Sequence, residues 1–304
     1  MRAIVTGGAG FIGSHVAEAL VARGDEVHVL DSLVMGSREK VPAGAELHVG
    51  DIRSDAPGLF DQVRPELVCH LAAQADVNTS VERPEYDAEV NVWGTLQILQ
   101  AARAHGSQIV FSSTGGAIYG ECDGRATEEA PRRPISPYGI SKLAGEEYVA
   151  GWNRLYGARH VSLRFANVFG PRQEATLEGG VIAIFLNAMA RSEQTTIFGD
   201  GGQTRDFIYV GDVVRGVLAA TDHSGGVYNI GTGVETSVNE LHAACRRVTG
   251  DEREPVYAED RPGEVMRSVI DPALAERELG WRPEVPLEEG LRLTWESLQE
   301  AAPA

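Results

Sequence analysis

The stretch that decides the fold stands at the start of the chain, where residues 1–15 read MRAIVTGGAGFIGSH. Ala3–Val5 is a short β-rich run, and a glycine-rich turn separates it from Ile12–Arg23, which has helical spacing. A strand joined to a helix by so short a turn is the first half of a strand–helix–strand unit. The opening therefore predicts an α/β protein built on a parallel sheet.

The same pattern repeats through the first two thirds of the chain. The further β-rich runs, apolar without alternation, are Val27–Leu30, Leu47–Val49, Leu67–Leu71, Ile109–Phe111 and His160–Phe165. The helix-like stretches between them are Ala56–Val63, Ala88–Ala104 and Ile140–Tyr156. Because strands that are apolar on both faces need helices on both sides, the sequence predicts a doubly wound parallel sheet.

The alternation of strands and helices ends after Pro171, where glycine-rich turns separate isolated helices. The predicted helices in this part are Val238–Thr249, Pro272–Leu279 and Leu287–Glu300. We expect residues 1–170 to form the sheet domain and residues 171–304 to form a smaller α/β domain that binds substrate. Val227–Ile230 has the composition of a strand, so a segment near residues 205–235 is expected to return to the first domain.

Composition narrows the possible partners. The 304 residues include 27 Lys and Arg against 44 Asp and Glu, a formal charge of −17, which argues against nucleic acid or an anionic membrane surface. No apolar run approaches the roughly 18 residues of a membrane span, and residues 1–10 carry no signal-peptide pattern. The three cysteines are odd in number and far apart, which predicts a reducing, cytoplasmic setting.

The glycines of the opening stretch are spaced for a dinucleotide. Gly7 suits a tight turn, Gly10 a close approach of the backbone to a pyrophosphate, and Gly13 close packing of helix on strand. Asp31 ends the second predicted strand, where a carboxylate binds ribose hydroxyls and repels a 2′-phosphate. These features predict NAD as the cofactor, rather than NADP.

Two more loops fall at the carboxyl ends of strands, where open α/β sheets bind ligands. Asp51-Ile52 follows the third predicted strand and could hold an adenine ring. Leu71-Ala72-Ala73-Gln74 follows the fourth, and its small residues would let the backbone run close to the cofactor.

Tyr138 and Lys142 form a candidate acid/base pair, because residues four apart share a helix face. An ammonium beside a phenol favours the phenolate and lowers a pKa that is ordinarily near 10. Lys142 is one of only two lysines among the 27 basic residues, which suggests a need for a compact ammonium. The hydroxyls of Ser112-Ser113-Thr114, after the fifth predicted strand, could hold the reacting oxygen of a substrate.

Taken together, these motifs resemble the extended short-chain dehydrogenase/reductase family. The resemblance rests on GGAGFIG at residues 7–13, SSTGGAIYG at residues 112–120 and the Tyr138/Lys142 pair. RFANVFGPR at residues 164–172, RDFIYV at 205–210 and NIG at 229–231 are similar to its nucleotide-sugar branch, above all the UDP-glucose 4-epimerases. The resemblance covers essentially the whole chain. It implies a Rossmann sheet, bound NAD and 4-epimerisation of a UDP-hexose through a transient 4-keto sugar.

The resemblance also implies residue roles. Tyr138 would be the acid/base, Lys142 would bind the nicotinamide ribose, and Thr114 or Ser113 would assist at the sugar hydroxyl. The cofactor positions are Gly7, Gly10, Phe11, Ile12, Gly13, Asp31, Ser32, Asp51, Ile52, Leu71, Ala72, Ala73, Gln74, Asn91, Ser112, Tyr138, Lys142 and Phe165. The UDP-sugar positions are Asn167, Val181, Phe198, Arg205, Arg261, Glu264 and Ser268.

Ser268 bears on substrate choice. It stands where epimerases restricted to the plain sugars resemble one another in carrying a bulky Tyr, so the resemblance implies space for an N-acetyl group. We expect UDP-glucose and UDP-galactose, and their N-acetylated forms, to be substrates.

Other activities of the same family stay open as alternatives. Dehydratases and decarboxylases carry an acidic residue just after the Ser/Thr of the strand-five loop, where this chain has Gly115-Gly116. A UDP-uronic acid epimerase is a further alternative. A non-enzymatic NAD sensor would be expected to lack the Tyr138/Lys142 pair.

A homodimer is also implied, built from the helices at Ala88–Ala104 and Ile140–Tyr156. The candidate contact residues are Val92, Leu96, Leu99, Leu143 and Tyr148.

No metal site is predicted from spacing. The histidines form no His-x-x-x-His or His-x-His pair, and the cysteines form no Cys-x-x-Cys pair. His70, on a strand that looks buried, is interpreted as a core residue.

Overall fold

The computed structural model describes residues 1–175, 180–260 and 265–301. The strands in chain order are β1 (Arg2–Thr6), β2 (Glu26–Asp31), β3 (Ala45–Val49), β4 (Leu67–His70), β5 (Gln108–Thr114), β6 (Val161–Phe165), β7 (Asn167–Phe169), β8 (Thr196–Phe198), β9 (Thr204–Arg205), β10 (Phe207–Tyr209), β11 (Val227–Ile230), β12 (Thr236–Ser237), β13 (Val256–Ala258) and β14 (Arg267–Ser268). The α-helices are α1 (Phe11–Arg23), α2 (Ala56–Val63), α3 (Val77–Glu82), α4 (Pro84–Ala88), α5 (Gly94–His105), α6 (Gly115–Ile118), α7 (Pro137–Tyr156), α8 (Val181–Ala190), α9 (Val210–Thr221), α10 (Val238–Thr249), α11 (Ala273–Leu279) and α12 (Leu287–Ala301).

The main sheet has seven strands in the order β11-β6-β5-β4-β1-β2-β3, all parallel. Side chains of α1 and α9, such as Val16 and Val217, pack on one face. Side chains of α2, α5 and α7, such as Phe60, Ile98 and Val149, pack on the other. The doubly wound parallel sheet is therefore confirmed, and the carboxyl ends of its strands form the edge where such folds bind ligands.

A third hydrophobic cluster lies among α8, α10 and α12, with Phe185, Leu241 and Leu291 at its centre. The strand at Val227–Ile230 comes from the later part of the chain, yet it pairs with β6 at the edge of the main sheet. The proposed division into residues 1–170, with a returning segment near residues 205–235, and residues 171–304 stays a prediction.

None of the helices in the described ranges combines the length and the apolarity that crossing a bilayer requires.

The helix that carries Tyr138 and Lys142 begins earlier than its apolar spacing predicts. It starts at Pro137 and not at Ile140, because the Ser136 side chain accepts a hydrogen bond from the Gly139 N–H. Proline at the first helical position costs no hydrogen bond, since that N–H has no partner inside a helix. This cap fixes Tyr138 and Lys142 in the first two turns.

The predicted helix Ala88–Ala104 is helical throughout, but the type of helix changes within it. The chain forms α4, then a π-helical turn at Glu89–Trp93, then α5. Leu99, expected in a dimer contact, is fully buried in the cluster that packs on the sheet. It faces the core because α5 covers the sheet with that side.

A buried ion pair fastens α7 to the sheet. The Arg164 guanidinium on β6 donates to both Glu146 oxygens, at 2.9 and 2.5 Å. It also donates to the Tyr119 hydroxyl at 2.6 Å, and that hydroxyl donates to Asn229 on β11 at 2.8 Å. A buried charge that is paired and hydrogen-bonded in this way holds its elements in one arrangement.

Candidate active site

The loop between β1 and α1 forms a cradle that only glycine allows. Gly7 has a φ of +72°, and a Cβ there would lie 2.7 Å from the Ala72 backbone nitrogen. A Cβ on Gly13 would lie 2.1 Å from the Gly7 carbonyl oxygen. The glycines therefore let the loops after β1 and β4 and the start of α1 come together.

The N-terminus of α1 is open for an anion. Gly10 is its N-cap and supplies no side-chain cap, and the first turn, beginning with Phe11 and Ile12, contains no acidic residue. The first backbone N–H groups of a helix have no partner within it and carry a partial positive charge. This end of α1 fits a pyrophosphate.

Asp31 closes the same cradle at the end of β2. Its carboxylate accepts the Ala9 N–H at 2.9 Å and the Leu33 N–H at 2.8 Å. Each carboxylate oxygen can accept a further hydrogen bond, so ribose hydroxyls fit here. Ser32, the next residue, is exposed.

Asp51 is bound by a neighbour that sequence reasoning missed. The Arg53 guanidinium lies 2.6 Å from the Asp51 carboxylate, and this hydrogen bond holds the pKa of Asp51 below its ordinary value. Ile52 is buried. The Asp51 carboxylate, which the sequence suggested as part of an adenine site, is thus already paired with Arg53.

The loop after β4 is held by side chains around it. Asn91, in the π-helical turn, accepts the Gln74 N–H and donates to the Gln74 carbonyl, both at 2.9 Å. Ser112 donates to the His70 carbonyl at 3.1 Å. Asn91 and Ser112 therefore position the backbone of Leu71-Ala72-Ala73-Gln74.

His70 itself is a satisfied core residue, as the sequence suggested. Its ring nitrogens lie 2.7 Å from the Thr6 hydroxyl and 3.0 Å from the Thr95 hydroxyl. Burial, with the Lys142 charge nearby, lowers its pKa to about 3, so the ring is neutral.

At the end of β5 the structure brings together the side chains of Tyr138 and Thr114. Burial raises the pKa of Tyr138 to about 12, and a hydrogen bond with the Thr114 side chain acts in the opposite direction. The Ser113 hydroxyl is buried and has no hydrogen-bond partner among the described residues. A buried hydroxyl without a partner is costly, and a bound substrate could supply the missing bond.

Lys142 is 3% exposed, and its ammonium lies 4.6 Å from the centroid of the Phe111 ring. Burial lowers the pKa of Lys142 to about 8, although the carboxylates of Asp87 and Glu146 raise it. The predicted lowering of the Tyr138 pKa is not found in the chain by itself, because loss of hydration and the Asp87 charge both raise that pKa and outweigh the hydrogen bond with Thr114.

Asp87 is a member of this cluster that sequence reasoning missed. One of its oxygens accepts hydrogen bonds from Gln74 and Asn91, each at 3.0 Å. The other is buried with no hydrogen-bond partner among the described residues, and burial raises the pKa of Asp87. Its position four residues before Asn91 was the only sequence signal.

The substrate positions fall on several short elements. Arg205 on β9 and Ser268 on β14 are partners in register, and the Ser268 carbonyl accepts the Asp206 N–H at 3.0 Å. Asn167 begins β7, Val181 begins α8 and Phe198 ends β8, while Phe165 ends β6. Arg261 and Glu264 lie outside the described residues.

The chain is similar to known proteins along most of its length. The model of the NAD dependent epimerase/dehydratase family matches residues 3–231. The UDP-glucose 4-epimerase of Mycolicibacterium smegmatis is 42% identical over 306 residues, covering 97% of this chain and 98% of the relative.

Two solved structures are similar along the whole chain. The UDP-glucose 4-epimerase of Thermotoga maritima, solved with UDP-glucose, is 45% identical with a TM-score of 0.96 over 99% of both chains. That of Thermus thermophilus, solved with NAD, is 45% identical with a TM-score of 0.93 over 99% of this chain and 100% of its own. This chain belongs to the NAD-dependent epimerase/dehydratase family, and the resemblance read from its motifs is confirmed.

Proposed function

We propose that this protein interconverts UDP-glucose and UDP-galactose by NAD-dependent 4-epimerisation through a transient 4-keto sugar. The observation that carries the proposal is the cluster of Tyr138, Thr114 and Lys142 at the end of β5, at the same edge of the sheet as the glycine cradle. The related UDP-glucose 4-epimerases described above support it.

The cradle residues would hold the cofactor. Gly7, Gly10 and Gly13 fit the pyrophosphate, Asp31 the adenosine ribose, and Lys142 the nicotinamide ribose. When bound, NAD accepts the hydride from the sugar and returns it, so no net oxidation results.

Tyr138 would take the proton of the sugar 4-hydroxyl and later return it. With a pKa of about 12 the phenol is protonated at neutral pH, so positive charge close to it must favour the phenolate in the working site. Within the chain, the proposed source of this positive charge is the Lys142 ammonium, one helical turn further along α7. Thr114, which lowers the Tyr138 pKa, is the candidate for the substrate hydroxyl, and Ser113 remains the alternative.

The geometry disfavours dehydration. A Cβ on Gly115 would lie 2.8 Å from the Ile270 Cδ1 atom, and one on Gly116 would lie 2.9 Å from the Asn167 Oδ1 atom. The two glycines supply no acidic side chain that could protonate a leaving hydroxyl, and one added at either position would require Ile270 or Asn167 to shift. This observation favours 4-epimerisation over the dehydratase alternative.

Product analysis tests the proposal. NMR should show that purified protein converts UDP-glucose to UDP-galactose. The final ratio of the two sugars should be the same whether the reaction starts from UDP-glucose or from UDP-galactose, and no reduced cofactor should accumulate. Parallel samples with UDP-glucuronic acid test the uronic acid alternative. Loss of water from the sugar, or no change at carbon 4, would contradict the proposal.

A second expectation concerns the sugar carbon 2. Wild type should turn over UDP-glucose and UDP-N-acetylglucosamine, because the buried Ser268 side chain is much smaller than the Tyr of epimerases restricted to the plain sugars. Ser268→Tyr should lower turnover of the N-acetylated sugar about 10–200-fold relative to UDP-glucose. Paired kcat/KM values for both sugars measure this. Ser268→Ala is the control, and it should leave the ratio unchanged.

The interpretation of Ser268 fails if wild type cannot use UDP-N-acetylglucosamine. It also fails if the Tyr variant uses that sugar as well as wild type does.

We infer a homodimer formed by the face that α7 shares with the π-helical turn. Trp93, Ile140 and Tyr148 are 50%, 56% and 40% exposed there, so their apolar side chains are available for a contact between subunits. Light scattering at micromolar concentration should give twice the chain mass, and Tyr148→Glu should shift it towards the monomer. A monomer mass for wild type contradicts this inference.

We also infer a cytoplasmic location. Cys69, Cys122 and Cys245 are all free thiols, which suits a reducing compartment.

A further inference from the structure

Two Glu-x-His sequences lie side by side at the edge of the main sheet. Glu26-Val27-His28 is on β2 and Glu46-Leu47-His48 is on β3, the edge strand. His28 and Glu46 are partners in register. Because side chains two residues apart on a strand share a face, the two histidines and two glutamates project from the same side of the sheet.

Three of these groups converge. The His28 Nδ1 atom lies 3.0 Å from the His48 Nε2 atom and 3.5 Å from the Glu46 Oε2 atom. The His48 Nε2 atom lies 3.7 Å from the Glu46 Oε1 atom. We propose that His28, His48 and Glu46 bind a divalent transition-metal ion, of which Zn²⁺ is the physiological candidate.

The spacing suits that ion. Zinc bonds to nitrogen and oxygen are about 2.0–2.2 Å long, so ligand atoms around a tetrahedral zinc lie about 3.4 Å apart. The three separations bracket that value. Two imidazoles with one carboxylate form a donor set that zinc sites use, with water completing the coordination.

The burial of the two histidines and the exposure of the glutamate also suit a metal site. The His28 side chain is 9% exposed and that of His48 is 19% exposed, so both rings are held by surrounding structure. The Glu46 side chain is 62% exposed, which leaves an open path for the ion. The histidines supply rigid ligands, and the glutamate can move to complete the site.

Glu26 orients the His28 ring. Its carboxylate lies 3.2 Å from the His28 Nε2 atom. A proton on Nε2 that donates to Glu26 leaves the lone pair on Nδ1, the atom that faces His48 and Glu46. Metal-binding histidines are commonly oriented by a carboxylate in this way.

Spacing along the chain did not reveal this cluster, because its members come from two strands. The predicted absence of a metal site considered His-x-His, His-x-x-x-His and Cys-x-x-Cys patterns, each of which lies within one continuous segment of the chain. The ion would join the edge strand β3 to β2, so its role here is structural. Edge strands with unpaired backbone groups benefit from such a restraint.

Titration of the chelator-treated, untagged protein with Zn²⁺ by calorimetry tests the proposal. We expect one ion per chain, and a higher Tm with zinc than without it. His48→Asn and Glu46→Gln should each weaken binding about 100-fold or more, and Glu26→Gln about 10–100-fold. Co²⁺ should give visible d–d absorption with wild type that is lost in His48→Asn.

His105→Asn is the matched control. His105 faces a carboxylate, with its Nε2 atom 3.1 Å from the Asp61 Oδ1 atom, but no third ligand joins this pair among the described residues. Zinc affinity should not change in this variant. Equal affinity of wild type and His48→Asn, or equal losses in His105→Asn and His48→Asn, would overturn the proposal. Unchanged epimerase activity in His48→Asn shows that the variant is folded.

Discussion

Tyr138→Phe should lower epimerase turnover by at least about 10²–10⁴-fold while binding of NAD and UDP remains. The phenol is the acid/base candidate beside Thr114, and phenylalanine keeps the ring while removing only the oxygen that carries the proton. Turnover is measured with UDP-galactose, and binding of NAD and UDP by calorimetry.

Tyr156→Phe provides the matched control, since Tyr156 is on the same helix but exposed at its far end. It should retain wild-type turnover. If Tyr138→Phe stays within about threefold of wild type, Tyr138 is not the acid/base.

Lys142→Arg should lower turnover on the order of 10²-fold although it conserves the charge. The ammonium lies against the Phe111 ring in a buried position, and a planar guanidinium needs more space and presents its protons differently. The lysine is an ammonium below its pKa of about 8 and becomes neutral as the pH rises through that value.

The chain's other lysine gives the control. Lys40 lies 2.5 Å from Glu174 in an ion pair whose glutamate is exposed. Lys40→Arg should have wild-type kcat and KM. If Lys142→Arg is equally active, a compact ammonium is not required at that position.

The sheet was predictable because its signal is local. Each strand is a short apolar run followed by a helix-like segment, and α2 occupies Ala56–Val63 as its pattern predicts. Val227–Ile230 was recognisable as a strand for the same reason.

The sequence did not predict features that depend on contacts between residues far apart in the chain. The π-helical turn is stabilised by contacts of Asn91 with Gln74, seventeen residues away in the chain. Asp87 gains its importance only because the fold buries it near Lys142. The pKa of Tyr138 depends on burial that its sequence neighbours do not indicate.

The bond from Tyr119 to Asn229 has a consequence for how the protein is synthesised. β1 lies in the middle of the sheet between β2 and β4, so these three strands can associate early on the ribosome. The Tyr119 hydroxyl reaches its acceptor, Asn229, only when the chain has been extended by a further 110 residues. Since contacts between distant residues form slowly, the buried polar network of Arg164, Tyr119 and Asn229 is completed only after β11 has been synthesised.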